Sequence, residues 1–131
     1  MIALALLAAV AAPVADLAVG QTLACAPKGV VAVVGRLDPD GRNGASIASV
    51  SIFDQRPGAG MGVLSHIPVD AQVLKASCPR TTAAHLPAPG FESGYADWRK
   101  AFEAGQGGYF TIPVSEILDV VKKMTAEAGA H

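Results

Sequence analysis

The sequence predicts an α+β protein in which a small antiparallel β-meander of three to four strands is packed by two or three helices, the last of them a C-terminal amphipathic helix. Three observations lead to this class. Residues 30–67 contain short β-branched or alternating runs separated by turn residues, the pattern of hairpin-linked strands. Helical periodicity dominates the second half of the chain. The length of 131 residues and the 51% of hydrophobic residues suit a single small domain, which we place at residues 16–131.

The first two predicted strands differ in their expected burial. Val30–Leu37 is a continuous β-branched run, typical of a strand that is buried on both faces. It leads into Asp38–Gly41, which has the residues that a type I turn prefers. In Ala48–Ile52 the apolar residues alternate with serines, so we expect this strand to bury one face only.

A glycine-rich turn leads into the third predicted strand. Arg56–Gly58 suits a type II turn, in which glycine accepts the positive φ, and Met61–Ile67 follows as the strand. The glycines at 58, 60 and 62 superficially resemble a phosphate-binding loop, but they precede a strand rather than a helix. They therefore indicate a hairpin.

Proline and capping residues bound two helices in the middle of the chain. We predict a short helix over Val69–Ser77, opened by Pro68 and with Asp70 in its first turn, where a carboxylate complements the helix dipole. A second helix is predicted over Ser93–Ala104, with Ser93 as its N-cap.

A fourth short strand and a long helix complete the predicted fold. Tyr109–Ile112 is the strand, and Pro113–Glu127 is the amphipathic helix. The apolar stripe of this helix consists of Val114, Ile117, Leu118, Val121 and Met124.

An aromatic stripe accompanies the predicted helix 93–104. Its residues follow one another at spacings of four, three and four, which places them on one helix face; they are Phe91, Tyr95, Trp98 and Phe102. Such a stripe is typical of core packing, whereas tryptophan and tyrosine are also enriched in binding interfaces. Both interpretations stay open at this point.

The N-terminus has the pattern of an export signal. Residues 1–15 carry no charge, and the apolar run Ile2–Ala12 is followed by small residues, as in the apolar region and cleavage site of a signal peptide. The positively charged start of such a peptide is missing. An uncleaved membrane anchor or an internal helix are the alternatives. The main interpretation predicts a periplasmic or secreted protein without a membrane span in the mature chain.

Export makes a disulfide the expected state of the two cysteines. Cys25 and Cys78 are the only cysteines in the chain, so only one intramolecular pairing exists in an oxidising compartment. The alternative is a pair of separate buried thiols, which becomes the favoured state if the protein is not exported.

Charge and spacing argue against nucleic-acid, metal and cofactor sites. The net charge is −1, which gives no basic footprint for nucleic acid. Asp38 and Asp40 resemble the start of a calcium loop, but Arg42 and Asn43 stand where a ligand and a glycine belong. The histidines at 66, 85 and 131 lack metal-ligand spacing. We therefore predict neither a metal nor another cofactor.

Catalytic residues are not evident in the sequence. Ser65 and His66 are neighbours on a predicted strand, where successive side chains point to opposite faces and cannot bond each other. We therefore predict no catalytic residues and favour a non-catalytic protein. The alternative is a small periplasmic hydrolase or other enzyme that uses His66 and His85 from separate parts of the chain.

The size, the export signal and the disulfide together favour a small exported binding, inhibitory or envelope-associated module. Its partner would be a protein or another envelope component. We expect the partner surface in the proline-containing loop Pro79–Glu92 and the adjoining helix face, because loops longer than about 12 residues are commonly functional. The candidate residues are Arg80, His85, Tyr95, Trp98 and Arg99.

Overall fold

A computed structural model describes residues 16–129 of the chain; the predicted signal peptide, residues 1–15, lies outside them. Five strands and three helices follow one another as β1 (Thr22–Cys25), β2 (Val30–Pro39), β3 (Ser46–Asp54), β4 (Gly62–Asp70), α1 (Ala71–Ser77), β5 (Arg80–Thr81), α2 (Phe91–Glu103) and α3 (Val114–Gly129).

The strands form one antiparallel sheet in the order β4-β3-β2-β1-β5. The predicted α+β class is therefore confirmed, and the meander of three strands is β2, β3 and β4. The sheet is larger than predicted because β1 and β5 join it. These strands have only four and two residues, too few to show the alternation from which a strand is recognised.

One face of the sheet carries the main hydrophobic core, which α1 and α3 cover. Alternate residues of the three long strands point to this side, since side chains alternate between the faces of a sheet. The buried core residues include Val30, Ala32, Val34, Ala48, Val50, Ile52, Ile67 and Val69 from the strands, and Leu74, Val114, Ile117 and Leu118 from the helices. The packing of α3 confirms the first half of its predicted stripe. Met124, the last residue of the predicted stripe, is 61% exposed and does not join the core.

The opposite face is also covered, by the loop before α2 and by α2 itself. Phe91, at the start of α2, is 2% exposed and lies against Gly35 of β2. The expectation that the strand around 48–52 buries one face only is wrong: Ser49 and Ser51 are fully buried. The interior of the protein tolerates their polar hydroxyls because each hydroxyl has a hydrogen-bond partner.

The predicted disulfide is confirmed. Cys25 ends β1, Cys78 follows α1, and their sulfur atoms are bonded. Next to the bond, the Ala26 N–H donates to the Ser77 carbonyl at 2.9 Å, so the end of α1 is held to β1 by both links. Closing a loop with a sequence separation of 53 residues stabilises the fold by about 4 kcal/mol in the chain-entropy description.

The boundaries of α1 and α2 differ from prediction. Pro68 belongs to β4 and does not open a helix, which is allowed because β4 is an edge strand. Asp70 caps α1, with its side chain accepting the N–H groups of Gln72 and Val73. Ser93 lies inside α2, whose N-cap is Gly90 at φ +88°. Glycine stands there because other residues rarely adopt a positive φ.

Two further predicted elements are corrected. The turn after β2 starts at Asp40 instead of Asp38, because β2 continues through Pro39 and the Asp40 carbonyl accepts the Gly44 N–H at 3.0 Å. Tyr109–Ile112 is not a strand. Only Phe110 makes a bridge, to Val69 at the outer edge of β4.

The contact between Gly35 and Phe91 is testable. A Cβ at position 35 would lie 2.2 Å from the Phe91 ring, so we expect Gly35→Ala to lower the free energy of unfolding by about 1–3 kcal/mol. Because the clash is with that ring, Phe91→Ala should cost clearly less in the Gly35→Ala background than in the wild type. Urea denaturation of the four proteins measures this.

Gly41→Ala is the matched control, since a Cβ there meets no atom within 4 Å. We expect it to leave the unfolding curve within about 0.5 kcal/mol of the wild type. Equal losses at positions 35 and 41, or additive effects of the Gly35 and Phe91 substitutions, would show that the ring does not rest on Gly35.

Candidate binding surface

The loop that connects β5 to α2 is tied to the sheet near its start. Cys78 holds the preceding segment through the disulfide. Thr22 of β1 then makes two bonds to the loop: its carbonyl accepts the Thr82 N–H at 2.9 Å, and its hydroxyl accepts the His85 N–H at 3.0 Å. The backbone is therefore fixed up to the residue before Leu86.

A serine pair fixes the other end of the loop. The Ser51 hydroxyl accepts the Ala88 N–H at 2.9 Å and donates to the Ser65 carbonyl at 2.9 Å. The Ser65 hydroxyl in turn donates to the Pro89 carbonyl at 3.0 Å. Ala88 is buried against Val33 and Phe53. The segment from Ala88 onward thus belongs to the packed structure.

Between these attachments the loop presents Leu86 to solvent. The Leu86 side chain is 80% exposed, although its two flanks are held. His85 rests its ring on Phe53, with 4.3 Å between ring centroids, and its Nδ1 donates to the Leu86 carbonyl at 2.7 Å. Pro87 follows directly and restricts the backbone further. The result is an apolar side chain displayed on a backbone with little freedom.

The aromatic stripe of α2 is a ladder of half-buried rings. Phe91 is buried, whereas the following rings each keep part of their surface accessible. Neighbouring ring centroids lie 6.2, 6.0 and 5.1 Å apart along Phe91, Tyr95, Trp98 and Phe102. Tyr109, which lies beyond the end of α2, adds a fifth ring 6.3 Å from Phe102. The ladder therefore packs on the sheet with one side, as the core interpretation expects, and faces solvent with the other.

Charged side chains beside this ladder form ion pairs with one another. The Asp38 carboxylate accepts the Tyr95 hydroxyl at 2.9 Å and lies 3.3 Å from an Arg99 nitrogen. Burial, with the hydrogen bond to Asp38 next, raises the pKa of Tyr95. Arg36 pairs with Glu92 at 2.8 Å. Arg99 thus serves to neutralise Asp38, a role that its sequence position did not reveal.

The predicted surface residues fall at two separate places. His85 lies by Phe53, which pairs with Val31 of β2, whereas Tyr95 and Arg99 bind Asp38 of the same strand. Seven residues along a strand span about 23 Å. Trp98 continues the Tyr95 end, and Arg80 is exposed on the edge strand β5. The five residues therefore do not form one continuous site.

The two histidines of the enzyme alternative have different surroundings. The His66 side chain, on β4, has its Nε2 3.0 Å from the Ser49 hydroxyl of β3, and three aromatic rings of α2 surround its ring at 5.6–5.9 Å between centroids. Burial lowers its pKa below the ordinary value of 6.5. His85 packs instead on Phe53 and bonds its own backbone neighbour. Each histidine thus has partners that the other does not share.

Two buried carboxylates stabilise the turns between neighbouring strands. Asp40 accepts two side-chain hydrogen bonds from Arg42 and one from Tyr109, which lower its pKa to about 2. Asp54 binds Arg56 through both oxygens at 2.8 Å and accepts the Met61 N–H. The bond from Arg56 lowers the pKa of Asp54 most. Both carboxylates hold a hairpin loop in place.

Two surface clefts are lined by uncharged residues. One of about 430 Å³ lies between α1 and the start of α3 and is lined by small residues such as Ala76, Ser77 and Thr111. Another, of about 230 Å³, is lined by Pro68, Gly108, Tyr109 and Phe110. Within residues 16–129, no group of three or more histidine, cysteine or acidic residues has the arrangement to hold a metal ion. No helix in that part of the chain is long and apolar enough to cross a membrane.

Comparison with known proteins identifies no relative: no family model, no curated protein and no solved structure matches this chain.

Sequence reasoning located the loop but missed the exposure of Leu86, and the predicted range Pro79–Glu92 is too long, because Arg80–Thr81 form β5 and α2 begins at Phe91. Leu86 is an ordinary apolar residue in the sequence, and its exposure follows from bonds made by Thr22 and Ser51, which lie far away along the chain. The alternation of serines at 49 and 51 was the available signal. Hydroxyls at every second position of a central strand can serve a buried polar face as well as a solvated one.

The burial of His66 predicts a pH dependence. Because its pKa is lowered in the folded state, the unfolded chain takes up a proton near pH 6.5 before the folded protein does. The free energy of unfolding should therefore fall as the pH drops from about 7 to about 5. His66→Gln keeps a donor for Ser49 and should flatten this dependence. Urea denaturation at several pH values measures both proteins.

Asp40 and Asp54 do not contribute to the change in unfolding free energy between about pH 7 and pH 5. Their lowered pKa values make stability fall only at more acidic pH, below the ordinary carboxyl range of about 4. A wild-type curve that is level between about pH 7 and pH 5, or an equal slope in His66→Gln, would contradict the burial of a neutral imidazole.

Proposed function

We propose that the protein is a small exported, non-catalytic binding module that uses the loop between β5 and α2 to contact its partner. The observation that carries the proposal is the 80% exposure of Leu86 on a loop that is bonded to the sheet on both sides. Because the backbone on both sides of Leu86 is already ordered, the loop loses little backbone entropy when a partner covers the side chain.

The exposed leucine supports a partner with an apolar pocket. The Leu86 side chain is 80% exposed, and covering apolar surface removes it from water, which favours association. We therefore propose a protein or another envelope component with such a pocket as the partner.

Export is part of the proposal. Residues 1–15 have the pattern of a signal peptide, and the Cys25–Cys78 disulfide is of the kind that persists in oxidising compartments. These two observations support a periplasmic or secreted location for the mature chain.

An enzyme that uses His66 and His85 has less support from the geometry. An active site brings its acid, base and nucleophile together in one pocket. His66 and Ser49 do lie within hydrogen-bond distance, but the rings of Phe91, Tyr95 and Trp98 pack around the imidazole, and His85 packs on Phe53. We therefore do not assign a reaction to them.

Leu86→Asp tests the proposed surface. A carboxylate in place of the leucine would have to enter an apolar pocket, so we expect the capture of the partner to weaken at least about tenfold. The exported chain with a C-terminal tag serves as bait for an envelope extract, and the amount of each bound protein is measured against bait concentration.

Met124→Asp is the matched control, because Met124 is an equally large apolar side chain, 61% exposed, on α3. It should bind as the wild type does. Capture that is equal for wild type and Leu86→Asp would contradict the proposed surface, and so would an equal loss in both variants, since a general loss of apolar surface would then explain it.

A further inference from the structure

The conformation of the loop around Leu86 indicates which kind of pocket it fits. Residues 84–88 belong to no helix, strand or turn. Leu86 and Ala88 each precede a proline, and a residue in that position is driven toward extended backbone angles. Leu86 is therefore an exposed apolar side chain on an extended segment. Such a segment fits a cleft that binds an extended chain and has one deep apolar pocket.

The neighbours of Leu86 leave room for such a cleft. Every residue from Thr82 to Pro87 is exposed. Two of them are the alanines at 83 and 84, whose small side chains let a partner approach the backbone closely. The His85 ring rests on Phe53. Leu86 is thus the one large aliphatic side chain in this exposed segment, like the single residue of a protease substrate that enters the primary specificity pocket.

The peptide bond after Leu86 is one that serine endopeptidases hydrolyse poorly. Residue 87 is proline, whose nitrogen carries no hydrogen and whose ring crowds the bond to be cut. Hydrolysis also requires the two new chain ends to separate. Both flanks of this loop are held to the sheet, by Thr22 on one side and Ser51 on the other. A protease that binds the loop as it binds a substrate would therefore be occupied without turnover.

One contact of the loop must change in such a complex. The Leu86 carbonyl accepts the His85 Nδ1–H at 2.7 Å, whereas the carbonyl of a bound substrate accepts the N–H groups of the protease oxyanion hole. His85 is exposed, so its side chain can rotate away and release this carbonyl. The bonds that Thr22 and Ser51 make to the loop do not involve this carbonyl, so the exchange leaves the loop attached to the sheet.

We propose that the protein inhibits a serine endopeptidase with an apolar primary specificity pocket, which receives Leu86 while the Leu86–Pro87 bond lies uncut at the catalytic serine. This inference rests on the proposed function, because it names the partner of the same loop. The bonds that order the loop before binding lower the entropy lost in the complex. Prior ordering of this kind favours tight binding by an interface of the size found in protease–inhibitor complexes, about 1,600 Å².

Chymotrypsin and trypsin are the probes that test the chemistry of the pocket. The primary pocket of chymotrypsin is an apolar slot, whereas that of trypsin carries a carboxylate. The inhibition constant of the disulfide-bonded, exported chain is measured against each enzyme with a small chromogenic substrate. We expect the wild type to inhibit chymotrypsin with a constant of about 10 μM or lower, and trypsin at least about tenfold more weakly.

Leu86→Arg should exchange the two preferences. Inhibition of chymotrypsin should weaken at least about tenfold, because a guanidinium would have to enter the apolar slot. Inhibition of trypsin should strengthen at least about tenfold, because the guanidinium pairs with the carboxylate of its pocket. Met124→Arg is the matched control, since it places the same charge at another exposed apolar position, 61% exposed. It should inhibit both enzymes as the wild type does.

Three results would overturn the inference. The first is a wild type that does not inhibit chymotrypsin at about 100 μM. The second is a Leu86→Arg protein that keeps the wild-type preference, or a Met124→Arg protein that changes it to the same extent. The third is a Leu86–Pro87 bond that mass spectrometry finds cut during the assay, because the loop would then be a substrate.

The capture experiment with Leu86→Asp separates this inference from the proposed function. If the wild type does not inhibit chymotrypsin while Leu86→Asp loses an extract protein that the wild type captures, only the endopeptidase is wrong as the partner. If Leu86→Asp captures that protein as well as the wild type does, the loop surface itself is wrong.

Discussion

The ring of Phe91 lies directly on the backbone of Gly35, and the second face of the sheet is organised around this contact. A side chain at position 35 would displace the ring, and with it the start of α2. From Phe91 the ladder of α2 runs over His66, whose close approach to Gly94 again depends on a missing side chain. Upstream of Phe91, the loop is drawn onto the same face by Ser51. A sheet that would otherwise be solvated on one side is thus buried on both.

The burial of the second sheet face explains why a loop without regular structure is held in one conformation. Its backbone groups bond to side chains of β1 and β3, so the ordering of the loop is stabilised by the same burial that stabilises the sheet. The disulfide fixes the segment before it. Leu86 remains outside because the bonds on either side face the sheet. Ordering in advance lowers the entropy lost on binding, which links the packing of the second face to the proposed contact with a partner.

Local patterns predicted the elements that local forces determine. The β-branched run of β2, the turn glycines before β4 and the apolar spacing of α3 each fix a structure through neighbouring residues, and all three elements are found. The predictions are wrong where the local structure depends on residues that are distant in the sequence. Ser49 and Ser51 looked solvated, but Phe91 and the loop, some forty residues later, bury them. Tyr109–Ile112 looked like a strand, yet its backbone meets only one edge position of β4. The candidate surface follows the same rule: the loop could be predicted from its prolines, whereas its bounds between β5 and α2 and the exposure of Leu86 could not.

Amide hydrogen exchange at His85 and Ala88 tests most directly whether the second face holds the loop. Both N–H groups donate to hydroxyls of the sheet, Thr22 and Ser51, while the intervening Leu86 is displayed to solvent. If the loop is fixed as described, these two amides exchange slowly, with protection that approaches that of the β3 amides. If they exchange at the rate of an unstructured peptide while β3 stays protected, the loop is not held by the sheet, and the display of Leu86 on a fixed backbone is contradicted.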